Sequence, residues 1–179
     1  SATITTNPLP TATVSGGGTI CAGDPIPDLV ITLTGTGPWD FTYTDGVTPV
    51  NVSGQGTSPY TISGGGDGAY TVTAVNDALC TGTSSGSVDI LTNPLPTATV
   101  SGGGTICSGD PIPDMTVTLT GTAPWSITYT DGVTPVTVPG IMTSPYTISE
   151  AADGTYVLSA VSDANCTGTF SGSADIITN

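Results

Sequence analysis

No lysine, arginine or histidine occurs anywhere in the chain, while fourteen residues are acidic, so the formal charge is −14. Nucleic-acid binding depends on cationic side chains that neutralise phosphates, and docking on an anionic membrane surface depends on the same groups. Both partner classes are excluded. The same absence narrows enzymology, because no imidazole base, no Schiff-base amine and no cation is present to activate Ser or Cys. Two carboxylates alone could still hydrolyse a glycoside. However, the single glutamate, Glu150, is matched by Gly64 in the equivalent position, and no aspartate spacing marks a pair. The expectation is a protein that is not an enzyme. Long apolar runs are missing too: Leu29-Val30-Ile31 is typical of the longest, far short of the ~20 residues a spanning helix needs. Membrane insertion is excluded on that ground. No signal-peptide pattern opens the chain, as expected of a mature or excerpted segment.

What is present is periodic. Residues 8–93 align with 94–179 at a period of 86 residues without insertion or deletion, and 63 positions are identical. Such self-similarity marks a tandem array. Each copy is long enough for one thin core. Ser1-Ala2-Thr3-Ile4-Thr5-Thr6-Asn7 aligns with the repeat endings Ser87–Asn93 and Ser173–Asn179. Residues 1–7 are therefore expected to be the last strand of a preceding repeat, in an excerpt from a longer array. The alternative is a donor strand that completes a neighbouring subunit. Pro94 and Pro96 in the joint Thr92–Thr97 favour a stiff, extended connection. Constant repeat length with a stiff joint implies a rod.

Within a repeat, apolar and polar residues alternate, and helical periodicity is absent. Leu29, Ile31 and Leu33 share one strand face, matched by Met115, Val117 and Leu119. Trp39, Phe41 and Tyr43 share another, matched by Trp125, Ile127 and Tyr129. Further strands are predicted over 11–15, 47–52, 60–63, 70–76 and 85–91, with Asp45-Gly46 as a hairpin turn. About seven short strands at this spacing predict tandem immunoglobulin-like β-sandwiches, an all-β fold. Trp39 and Trp125 are expected in the core, and Tyr70 and Tyr156, which follow Asp-Gly-Ala and Asp-Gly-Thr, fit a tyrosine corner.

One cysteine pair falls in each repeat, Cys21 with Cys80 and Cys107 with Cys166. Even, periodic cysteines in a small β-repeat read as disulfides in an oxidising compartment. The expected pairing is Cys21–Cys80 and Cys107–Cys166, which would stabilise each unit by about 4 kcal/mol in the chain-entropy model. The alternative is Cys80–Cys107, with Cys21 reaching back into a preceding copy.

The string Gly18-Thr19-Ile20-Cys21-Ala22-Gly23-Asp24, then Leu33-Thr34-Gly35-Thr36-Gly37-Pro38-Trp39, then Tyr70-Thr71-Val72 through Asn76-Asp77-Ala78-Leu79-Cys80-Thr81-Gly82 carries a resemblance. It is similar to the PKD-like, Ig-like repeats of giant Bacteroidota surface proteins, akin to gliding-motility adhesins exported by the type IX secretion system. The resemblance covers both repeats. It implies a bacterial cell-surface location and a stalk or filament role, and brings no active site with it.

Six aspartates of the first repeat, Asp24, Asp28, Asp45, Asp67, Asp77 and Asp89, recur in the second. Calcium takes several hard oxygen ligands. Asp24, Asp28, Asp110 and Asp114 are the candidate ligands, and no other cofactor is expected. Asp45, Asp67 and Asp77 read as turn residues. With no cation to pair them, clustered carboxylates are expected to repel one another and raise their folded-state pKa, favouring the fold in acid. Two functions fit: a structural repeat of an extracellular filament or adhesin stalk, or a glycan- or surface-ligand-binding module repeated for avidity. The first is preferred, because differences such as Asp40/Ser126, Gln55/Ile141 and Ser84/Phe170 scatter instead of gathering on one loop cluster. The expected partners are neighbouring copies of the same repeat, with self-association into fibres.

Overall fold

The computed structural model describes residues 6–149 and 151–179, so the expected strand over residues 1–7 falls almost wholly outside the described residues. The chain divides between Thr92 and Asn93 into two compact units. The first holds β1 (Thr11–Gly16), β2 (Gly18–Cys21), β3 (Leu29–Thr34), β4 (Trp39–Thr44), β5 (Pro49–Gln55), β6 (Tyr60–Ile62), β7 (Gly68–Asn76), β8 (Thr83–Ser85) and β9 (Ser87–Asn93). The second holds β10 (Thr97–Ile106), β11 (Met115–Leu119), β12 (Trp125–Thr130), β13 (Pro135–Ile141), β14 (Tyr146–Ile148), β15 (Gly154–Ser162), β16 (Thr169–Ser171) and β17 (Ser173–Thr178). No helix occurs among the described residues.

In the first unit the sheet β6-β3-β1-β8 packs on the sheet β2-β9-β7-β4-β5. The apolar faces follow from alternation: Leu29, Ile31 and Leu33 point inward from β3, and Trp39 and Phe41 from β4. In the second unit β10 serves both sheets. Its first half pairs antiparallel with β11, and its second half pairs parallel with β17. The glycine run makes that crossing feasible. Gly102, Gly103 and Gly104 have φ of 100°, 75° and 157°, a region that side chains disfavour. A Cβ at Gly103 would also strike the carbonyl oxygen of Asp175.

The structure adjusts the expected elements in three places. Residues after the Gly16–Gly18 run form their own strand, β2. The expected strand over 85–91 is broken at Gly86, φ 87°, into β8, which pairs with β1, and β9, which pairs with β7. The Asp45-Gly46 hairpin is a four-residue loop between Thr44 and Pro49, not a two-residue turn.

Each unit has two distinct ends, fixed by strand direction. At the leading end, the amides of Thr83 and Thr169 donate to the carbonyls of Pro10 and Pro96, at 3.1 Å in both units. At the trailing end of the second unit, Ser108 N donates to Asn179 O at 3.1 Å and Asn179 N to Ile106 O at 2.9 Å. The last strand therefore finishes beside the far end of the first. The chain enters a unit at one end and leaves at the other.

Candidate functional site

The ends of the units carry the cysteines, and each cysteine is set by an aspartate. Cys21 N donates to Asp24 Oδ2 at 3.1 Å, and Cys107 N to Asp110 Oδ2 at 3.2 Å, in turns at the trailing ends. Cys80 N donates to Asp77 Oδ1 and Cys166 N to Asp163 Oδ1, both at 2.7 Å, in turns at the leading ends. The Asp77 and Asp163 turns are tied across the unit as well, since their Oδ2 atoms accept from Thr36 N at 3.0 Å and Thr122 N at 2.8 Å. Repeated geometry thus presents the cysteines in the same way in both copies.

This placement overturns the expected disulfides. Cys107 follows the last residue of β10, whereas Cys166 precedes Thr169, which pairs with the first residue of β10. A ten-residue strand at about 3.3 Å per residue separates them by roughly 30 Å, while a disulfide needs Cα atoms within about 7 Å. Cys21 and Cys80 are separated in the same way, at the end of β2 and beside Pro10. The disulfide-bonded cysteines are Cys21 and Cys166. Cys80, half-buried, and Cys107, exposed, are free thiols. Neither Cys21–Cys80 nor Cys107–Cys166 forms, and nor does the alternative Cys80–Cys107. Strand parity was the signal available in sequence: one cysteine follows the first strand and the other follows a strand running the opposite way.

The candidate calcium ligands, Asp24, Asp28, Asp110 and Asp114, all have roles within their units. Asp24 and Asp110 spend a carboxylate oxygen on the cysteine turn. Asp28 and Asp114 contribute main-chain carbonyls to Gly17 N and Gly103 N, at 3.5 and 3.3 Å. Among the described residues no group of three His, Cys, Asp or Glu is placed to hold a metal ion.

The other aspartates close turns. Asp45 Oδ1 accepts from Val47 N at 2.8 Å and Thr48 N at 2.7 Å, as Asp131 does from Val133 and Thr134. Asp67 accepts from the hydroxyl and the amide of Thr92. These bonds favour the ionised form. The amides of Thr48 and Val47 pull Asp45 below the usual carboxylate value, those of Thr134 and Val133 do so for Asp131, and the Thr92 hydroxyl and amide do so for Asp67. Asp77 is lowered by the amides of Thr36, Leu79 and Cys80. At Asp163 partial desolvation pushes upward, but the amides of Thr122, Cys166 and Asn165 together outweigh it. At these five aspartates the expected rise is reversed.

Trp39 and Trp125 are buried, with indole Nε1 donating to Thr34 O and Thr120 O, both at 2.9 Å. Tyr70 and Tyr156 are buried with hydroxyls donating to Gly66 O at 2.9 Å and Ala152 O at 3.0 Å, the geometry of a tyrosine corner. Beside each corner lies an open cleft. Tyr43, Asp45, Ile62 and Tyr70 line one of about 330 Å³, and Tyr129, Asp131, Ile148 and Tyr156 line its counterpart of about 250 Å³. Burial raises the pKa of all four tyrosines. In both clefts the corner hydroxyls and turn carboxylates are already bonded within the unit.

No protein-family model and no curated protein matches the chain. Among solved structures it is similar to an I-band fragment of titin, with TM-score 0.57 at 12% identity, over 95% of this chain and 65% of that fragment. It is also similar to the DIP-gamma Ig1+Ig2 structure, with TM-score 0.51 at 14% identity, over 96% and 98% of the two chains. The chain thus spans about two thirds of the titin fragment it matches. At these identities the likeness establishes the fold: an immunoglobulin-like β-sandwich.

Proposed function

We propose that the chain is a segment of an extracellular filament or adhesin stalk, in which repeats 8–93 and 94–179 are non-catalytic spacers and residues 1–7 are the last strand of a preceding repeat. One observation carries the reading: in each unit the chain enters at one end and leaves at the other, so adding repeats adds length. Immunoglobulin-like domains commonly serve as structural or adhesion modules. No helix among the described residues is long and apolar enough to cross a membrane. Disulfide-bonded cysteines support an oxidising location. The resemblance to Bacteroidota gliding-adhesin repeats supports a bacterial cell surface, with neighbouring copies of the repeat as partners. Negative-stain electron microscopy of native material tests this. Straight, regularly beaded fibres are expected, and freely hinged beads or isolated globules would overturn the reading.

A second reading rests on the repeated tyrosine clefts, which could hold a sugar against an aromatic wall at every repeat. Glycan-array binding lost in Tyr43→Ala and Tyr129→Ala variants would favour it over the spacer.

A further inference from the structure

We propose that each unit binds a small organic cation in the cleft beside its tyrosine corner: a quaternary ammonium group held against two tyrosine rings and a carboxylate. The site is complete within one unit and does not depend on the filament.

Chain topology gathers the same groups twice. Tyr43 comes from β4, Asp45 from the loop that follows it, Val50 from β5, Ile62 from the end of β6 and Tyr70 from β7, and together they line the first cleft. Their counterparts Tyr129, Asp131, Val136, Ile148 and Tyr156 line the second. In the second unit the two ring centroids lie 6.2 Å apart with the planes tilted by 46°, a bent aromatic wall. Tyr43 and Asp45 are both half-buried, as are Tyr129 and Asp131. A ligand can therefore reach ring and charge at once.

Charge decides what such a wall takes. The negative face of an aromatic ring attracts a cation, most strongly where water is displaced. Asp45 and Asp131 add a full negative charge to the lining. Each uses Oδ1 for two turn amides, and an ionised carboxylate keeps further lone pairs on its second oxygen. The same amides hold both aspartates ionised. Burial first, and then the neighbouring carboxylate, raises the pKa of Tyr70 and of Tyr156, so the charge is felt at the rings. No lysine, arginine or histidine exists in the chain to fill the cleft from within. The net charge of −14 concentrates outside cations around it.

Hydrogen bonding narrows the class. The corner hydroxyls already donate to Gly66 O and Ala152 O. A sugar brings several hydroxyls and a primary ammonium three N–H groups, all of which need partners when water is lost. A quaternary ammonium has no N–H and gains from ring faces and charge alone. Clefts of about 330 and 250 Å³ suit one compact group. Their difference agrees with one substitution. Gly65 lines the first cleft, where a Cβ would come within 2.7 Å of the Tyr70 hydroxyl oxygen, and Ala151 takes its place in the second. The first cleft should accept the bulkier ammonium.

The test titrates the whole 179-residue chain with choline chloride at constant ionic strength, read by NMR shifts of amides and tyrosine rings. Saturable shifts at the cleft residues of both units are expected. Neohexyl alcohol, the uncharged carbon isostere of choline, should bind about tenfold more weakly or not at all. Tyr43→Phe should keep the first site, whereas Tyr43→Ala should weaken it about tenfold. Asp45→Asn keeps an oxygen for the turn amides and should weaken choline without affecting the alcohol. The second site, unchanged in each variant, controls for folding. Equal binding of the alcohol, binding of methyl glucoside without choline, or choline shifts spread over all the aspartates would each overturn the proposal. Those outcomes would mean a merely apolar cleft, a sugar site and counterion screening respectively. Flotation with phosphatidylcholine vesicles separates two sources of the same group: co-flotation assigns the ammonium to a lipid headgroup, and its absence assigns it to a soluble ligand.

Discussion

Asp77 shows what a carboxylate does in a chain without cations. Its Oδ1 accepts the amides of Leu79 and Cys80, and its Oδ2 accepts Thr36, so main-chain donors take the place of a salt bridge. Five aspartates of this kind are held below their ordinary pKa of 3.8. A count of charges alone predicts the opposite sign, but repulsion between acids spread over the surface is weak in water. Bonds of 2.7 to 3.0 Å to turn amides are local and specific. A depressed folded pKa contributes stability that is present above the unfolded value and is lost as pH falls through the folded one. The melting temperature should therefore hold from neutral pH down to about 5 and then fall progressively through pH 4 to 2. Differential scanning calorimetry in chelator reads this directly. The Asp77→Ala/Asp163→Ala double variant should melt lower at pH 7 and show a shallower acid slope. A melting temperature at pH 3 equal to that at pH 7 would remove the turn carboxylates as the source of acid sensitivity.

At the scale of elements, alternation made most of the strands legible. Leu29, Ile31 and Leu33 lie buried on β3, and the aromatic positions of β4 face them. Less legible was anything that depends on backbone conformation: the strand after the glycine run, the break at Gly86, and the four-residue loop at Asp45. Side-chain pattern carries no record of φ, and glycine accepts either sign. The opposite ends of the two cysteines were encoded, but only in the direction of successive strands, which residue spacing does not report. Gly168 illustrates another constraint invisible in sequence. A Cβ there would drive into the carbonyl oxygen of Pro96, and its counterpart Gly82 stands in the same relation to Pro10. That approach seats the second-cysteine loop against the first strand and lets Thr169 N reach Pro96 O. Gly168→Ala should destabilise the second unit by roughly 1–3 kcal/mol, as overpacking does, seen as a fall in its urea midpoint. Faster hydrogen exchange around Thr169 should accompany it. An unchanged midpoint would mean the loop yields freely and does not fix the leading end.

For the whole molecule, two compact units of closely similar sequence each bury a core of their own. The first gathers Ile31, Leu33, Trp39 and Phe41, and the second gathers Val117, Leu119, Trp125 and Ile127. Ile127 is fully buried and is the counterpart of Phe41. Truncating it removes apolar contacts and leaves a cavity in the second core alone, so Ile127→Ala should destabilise that unit by roughly 2–5 kcal/mol. Hydrogen exchange followed by mass spectrometry reads the units separately. Amides of β11, β12 and β15 should lose protection, while those of β3, β4 and β7 keep theirs. Loss in both units would show that the two cores unfold as one cooperative body, and the repeat would then not be the unit of stability.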